Sequence, residues 1–253
     1  MRLSNAERLL QNLGITDPDE IDLDAIAFHV GARVKYRPLE GCEARIVGAG
    51  DRAIITVKDG SHPSRKRFSI AHELGHWHHH RGQCLVCRLE EVRPGGIMSP
   101  ERVANAFAAD LLMPDYIFQP IARQYAKLTL KTVNALAEMF ATSQTATAIR
   151  LVENDHFPAI LVCHGTKGRK WFTRSPSVPQ KWFPQEALDS ESYAFDILFG
   201  KKPDDSMPHK VGADAWFDRR DASRFEIQEQ TWRSSSGEIL TLLIINDANM
   251  FDE

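Results

Sequence analysis

Cysteine is scarce in this sequence. Cys42, Cys84, Cys87 and Cys163 are the only four in 253 residues. They are too few and too scattered for a disulfide framework, so free thiols are expected unless a metal recruits them. Long apolar runs are missing as well: none approaches the ~18 residues that a membrane helix needs. The opening MRLSNAERLLQNLG is polar and amphipathic. It has neither the apolar stretch nor the small-residue cleavage site of a secretory signal, and a cytoplasmic location is expected. Neither sign of charge dominates. The formal net charge is -3, which gives no sign of a chain that coats nucleic acid or a membrane surface. Internal repeats and low-complexity tracts are absent. What remains is an ordinary globular balance, 43% apolar and 26% charged.

The pattern along the chain predicts an α+β protein. Ser4 with Glu7 forms a capping-box pattern for a helix over 5–13, and a second helix is expected over 22–31. RVKYRP, EARIVGAG and RAIITVKDG then read as short strands punctuated by glycine. Pro63 precedes a helix running to His80, followed by a loop that holds Cys84 and Cys87. Ser99 caps the next helix, with Pro100 at its first position, and that helix stops near Met113 at Pro114. A helical stretch is expected over 116–154, containing LKTVNALAEMF and SQTATAIRLVE with Ser143 as a cap between them. Beyond Pro158 the segments alternate like strands, with the order strand, strand, helix, three strands. Three regions are therefore expected: 1–115, 116–156 packed on it, and 157–253 built on an antiparallel sheet.

AHELGHWHHH, residues 71–80, contains five histidines. His72 and His76 are four residues apart and share one face of a helix. With Glu73 between them they fit H-E-x-x-H. Two imidazoles at that spacing can bind one Zn²⁺, and the adjacent carboxylate is placed to take a proton from a water on that metal. Gly75, with no β-carbon, allows close packing against the site. The bland alternative is a histidine-rich surface helix, and His78 and His79 read as solvated helix-end residues. That alternative does not account for the glutamate, nor for Phe68, Ile70, Ala71 and Leu74 beside it. Burying two histidines and a glutamate without a metal would cost several kcal/mol. A third ligand is needed, and Glu101 at the start of the next capped helix is the candidate. Asn105, one turn on, can accept a hydrogen bond from a ligand histidine and fix its tautomer. Asp110 is the rival ligand, but it lies two and a half turns from Glu101 and so faces roughly the opposite side.

IAHELGHWHHH followed by ERVANAFAADLLMP resembles the ImmA/IrrE family of zinc metallopeptidases. The second motif of that family is commonly E-x-x-A-N-x-F-A-A-x-L-L-M-P, and residues 101–114 match every fixed position. The resemblance, specific over about residues 22–152, implies a zincin-like, mostly helical metallopeptidase domain with a small sheet. It implies Zn²⁺ held by His72, His76 and Glu101, with Glu73 as general base. A histidine at the position of His80 is also usual, either as a substrate contact or as a helix-terminal residue favoured by the dipole. The implied partner is a helix-turn-helix transcriptional repressor encoded nearby. Its cleavage would release genes for phage excision, DNA-damage responses or anti-phage defence.

C-x-x-C at Cys84 and Cys87 is a metal or redox spacing. One such pair cannot build a four-thiolate zinc site. A thiolate from this loop could instead occupy the fourth zinc position as an inhibitory ligand; the alternative is a pair of small packing residues. LTLKTVNALAEMFATSQTATAIRL reads as a helix-turn-helix-like pair. Its second helix offers only Arg150 and ends acidic, so a structural or docking role is expected rather than direct DNA binding. For the C-terminal region the resemblance implies a GAF-like fold that could take a small-molecule or protein signal. Trp171, Phe172, Trp182, Trp216, Phe217 and Trp232 could line a pocket, though aromatics at strand positions are more often core. The leading expectation is a zinc endopeptidase. The alternatives are a DNA-binding regulator with structural zinc and a partner-binding module with a vestigial site.

Overall fold

The computed structural model describes residues 3–80, 85–86, 99–200 and 202–251, with the side chains of His80, Leu85 and Val86 left out. The fold is mixed α and β. It divides into two compact units, one formed by Met1–Pro120 with Ala137–Ser143, the other by Ile121–Leu136 with Gln144–Glu253.

The first unit opens with α1 (Asn5–Asn12), whose start is fixed by the expected capping box between Ser4 and Glu7. Helix α2 (Leu23–His29) is capped by the Asp22 carboxylate, which accepts from the Asp24 and Ala25 amides. Strands β1 (Ala32–Arg37), β2 (Ala44–Ala49), β3 (Arg52–Lys58) and β4 (Leu85–Val86) form one sheet in the order β1-β3-β2-β4. β1 runs parallel to β3, while β2 is antiparallel to both β3 and β4. Alternation puts Ile46, Gly48, Ala53, Ile55 and Val57 on the buried face. Helix α3 (Pro63–His80) covers that face. Trp77 lies against Gly48, where an added Cβ would come within 2.6 Å of the indole. The indole N–H donates to the Val30 carbonyl at 2.8 Å, which ties the helix to the start of the sheet. Helix α4 (Pro100–Leu112) begins at Ser99, whose hydroxyl accepts from the Arg102 amide, and ends at Met113.

The helical stretch expected over 116–154 contains the two expected amphipathic helices and one more before them. It holds α5 (Asp115–Ala122), α6 (Leu130–Met139) and α7 (Gln144–Glu153). Pro120 lies close to the end of α5, and Thr129 restarts the chain by accepting from the Thr132 amide. Between α6 and α7 the chain turns through Ala141, a left-handed residue at φ 49°.

The second unit carries a five-stranded antiparallel sheet in the order β6-β5-β9-β8-β7. Its strands are β5 (Ala159–Gly165), β6 (Gly168–Arg174), β7 (His209–Gly212), β8 (Glu226–Arg233) and β9 (Ile239–Ile244), with α8 (Tyr193–Phe199) between β6 and β7. The expected strand HKVGADAWF stops at Gly212, and Ala213–Ala215 turn into a 3-10 helix. Trp182, Trp216, Phe217 and Trp232 are buried in this unit, as aromatic core residues are.

Candidate metal centre

The site is made by two helices meeting where their side chains are smallest. A Cβ on Gly75 of α3 would stand 2.8 Å from the Ala104 Cα and 3.0 Å from its carbonyl oxygen. That closeness brings the residues one turn away into contact. Glu101 Oε2 lies 3.2 Å from His72 Nε2, and its Oε1 lies 3.4 Å from His76 Nε2. The two imidazole Nε2 atoms are 3.0 Å apart. Two donors about 2.0–2.1 Å from a tetrahedral zinc stand roughly 3.3 Å from each other, so the three distances suit a single small cation. Among the described residues, His72, His76 and Glu101 are the cluster whose ligand atoms converge in this way. Asp110 is not part of it.

The surroundings order the ligands. Asn105, one turn after Glu101, accepts at 2.9 Å from Nδ1 of His72. With the proton on Nδ1, the Nε2 lone pair points at the cluster. His76 is buried, His72 is partly buried, and Glu101 is open on one side with 54% of its side chain exposed. The centre is therefore reachable from solvent. Glu73 is 5% exposed, and its Oε2 is buried with no hydrogen-bond partner among the described residues. Burial, and secondarily the charge of Glu101, push its carboxyl up to about 7. A buried, unsatisfied carboxyl oxygen beside two imidazoles and a carboxylate is costly alone. A divalent cation offsets that cost, so the donor set and the orphaned oxygen fit Zn²⁺.

The remaining expected residues fall as follows. His78 and His79 are exposed, and His78 stacks on Phe107 with ring centroids 5.1 Å apart. Helix α3 ends at His80, whose side chain lies outside the described residues, as do Cys84 and Cys87. The loop expected to hold those cysteines contains β4, which pairs with Val47 and Gly48. Sequence reasoning missed Trp77 as the anchor of α3. The signal was there, a tryptophan inside a run of histidines. It also missed Glu7, which is buried and accepts from the Asp115 amide at 2.8 Å as well as capping α1. A second concavity, of about 300 Å³, lies in the C-terminal unit beside His164, Lys167, Glu186, Leu188, Phe195 and Phe199.

Among curated proteins, no relative matches the chain. Among solved structures, a Mycobacterium tuberculosis transcriptional regulator is similar, with 14% identity, a TM-score of 0.60, and coverage of 97% of this chain and 87% of that one. At that identity the likeness is one of fold. The family model for the IrrE N-terminal-like domain of the M78 peptidases matches residues 28–152. That span contains all of α3, α4 and the converging His72, His76 and Glu101. Residues 28–152, just under half of the chain, are thus similar to the IrrE N-terminal-like domain of the M78 peptidases.

Proposed function

We propose that this protein is a zinc-dependent endopeptidase that cleaves a helix-turn-helix transcriptional repressor encoded nearby. The observation that supports the reading best is the convergence of His72, His76 and Glu101 beside a buried Glu73 carboxyl with an oxygen unpartnered among the described residues. In this reading His72, His76 and Glu101 hold the ion, and Asn105 fixes the tautomer of His72. When bound, zinc supplies Lewis acidity. Glu73 takes the proton of the attacking water and returns it to the leaving amine. Residues 1–115 carry the catalytic part, and residues 157–253 receive the signal. The concavity beside His164 is the candidate place for a small molecule.

The test is metal analysis of the purified protein together with incubation with the neighbouring repressor. Stoichiometric zinc and a discrete cleavage product are expected. Glu73→Gln should keep the zinc and lower cleavage by about 10²–10⁴-fold. Cleavage that persists at the wild-type rate in that variant would refute Glu73 as the base. Bound zinc without cleavage of any repressor would favour a partner-binding role.

A further inference from the structure

The outer face of the first three strands carries six cations. Arg33, Lys35 and Arg37 on β1, Arg45 on β2, and Arg52 and Lys58 on β3 share the side opposite α3, and all but the half-buried Lys58 are exposed. The strand order makes this one surface. Across β1 and β3, Lys35 stands opposite Thr56 and Arg37 opposite Lys58; across β3 and β2, Thr56 stands opposite Arg45. Val47 and Ile54 face each other at its centre, 53% and 41% exposed. None of these strand positions on this face carries an acid. Among the described residues, Asp51 and Asp59 are in turns at the strand ends, and the Glu43 carboxylate accepts from the Ser61 hydroxyl. Arg37 opposite Lys58 is a like-charge pair, which disfavours the sheet unless an anion lies over it.

The geometry points to this face as a binding surface for single-stranded nucleic acid. Three strands of six or seven residues give a platform of roughly 15 by 20 Å, enough for several nucleotides. Successive cations on β1 stand about 7 Å apart, close to the spacing of neighbouring phosphates on an extended strand. Four of the six cations are arginine, the side chain that grips phosphate oxygens in pairs. At one corner Phe28 is 67% exposed, with the Arg33 guanidinium 6.0 Å from its ring centroid. An exposed ring next to arginine is a stacking place for an unpaired base. Single strands are favoured over duplex because a flat sheet presents neither helix nor ribbon to a groove. They are favoured over an acidic protein segment because every nucleotide joins a phosphate to a flat π-face that can be set on Phe28. The surface lies on the other side of the sheet from the metal centre, and the inference does not depend on peptidase activity.

The test uses the full-length protein and a labelled 20-mer of thymidine, followed by fluorescence anisotropy at rising salt. Four or five phosphate contacts predict a slope of log K against log salt near -3. The triple variant R33E/K35E/R37E should abolish binding at low salt while keeping its circular dichroism and its zinc content. Should the triple variant unfold, Arg37→Gln alone decides, since it should lower the slope by about 0.7. Phe28→Ala should weaken binding about fivefold or more at constant slope. Three results would each overturn the proposal: no binding at 50 mM salt, an unchanged slope in Arg37→Gln, or competition by poly-glutamate as effective as by the oligonucleotide.

Discussion

Substituting Gly75 by alanine should pull the metal site apart without touching a ligand. In an ordinary helix interior that change is favourable by about 0.8–1 kcal/mol. Here the new Cβ meets the Ala104 Cα at 2.8 Å and the Phe107 Cβ at 3.2 Å. Carbon atoms in comfortable contact stand about 3.5–4.0 Å apart, so α3 and α4 must separate by roughly 1 Å. Ala104 is backbone and cannot give way as a flexible side chain would. Overpacking of this kind costs about 1–3 kcal/mol, and the net loss in the metal-free protein should be about 0–2 kcal/mol.

The larger effect is on the cation. Glu101 comes from α4, whereas His72 and His76 come from α3, at 3.2 and 3.4 Å from its oxygens. Metal–ligand distances tolerate only about 0.2 Å. A 1 Å separation therefore strains or loses one ligand in three, and zinc affinity should fall about 10–100-fold, which is ~1.4–2.8 kcal/mol. Urea denaturation with and without zinc, and competition against a chromophoric chelator, measure both quantities. A Gly75→Ala protein that gains the full propensity increment and binds zinc as tightly as wild type would refute the close-crossing argument.

Three further outcomes follow from single residues. Asn105→Ala should lower zinc affinity about 10–100-fold through loss of the His72 contact, with little change in unfolding free energy because Asn105 is exposed. Glu229 is fully buried, and burial pushes its carboxyl up to about 7 although Trp216 Nε1 and the Ala194 amide both donate to it. Because the folded value is the higher one, the stabilisation is complete below the unfolded value near 4.5 and is lost as pH rises through 7. About 3 kcal/mol should disappear across that window, and denaturation of Glu229→Gln from pH 4.5 to 8 should lack that slope. His164 is buried, and burial lowers its pKa although the backbone at Gln185 and Glu186 works against that shift. A lowered histidine costs stability as pH falls below its unfolded value near 6.5. His164→Leu should therefore match or exceed wild-type stability at pH 8 and gain on it at pH 5.5, whereas a loss above about 2 kcal/mol at both would show that the imidazole is satisfied.

What could be read from the sequence was local. Ser4 with Glu7, Ser99 with Pro100, and the period-two burial of β2 and β3 are written within a few residues, and each element appears where those signals stand. The HELGH spacing likewise puts both histidines on one helical face whatever surrounds the helix. Bringing Glu101 to them depends on two helices touching at Gly75 and Ala104, and only the glycine hinted at that closeness. Where an element's end depends on distant partners, the reading fails. Within the helical stretch expected over 116–154 the turn before α7 is legible from Ser143, whereas the break that ends at Thr129 is not, and the Leu130 amide that opens α6 finds the Gln230 side chain a hundred residues away at 2.8 Å.

Charge shows the same limit more sharply. A net value of -3 is a sum over the whole surface, and a sum cannot reveal segregation. Reading the three strands in chain order suggests a simple meander with β2 in the middle. In the structure β3 lies between β1 and β2, parallel to the first and antiparallel to the second. That arrangement sets Arg37 against Lys58, 21 positions later in the chain. A one-residue slip of β1 would turn its three cations from solvent towards the core, where burying unpaired charge is prohibitive. The buried face of Ile46, Ile55 and Val57 fixes the register, and the register in turn gathers the cations. The basic surface is thus a consequence of core packing on the opposite side of the same strands: alternation in RVKYR puts the β1 cations on one face, but only the strand pairing sets Arg45, Arg52 and Lys58 beside them.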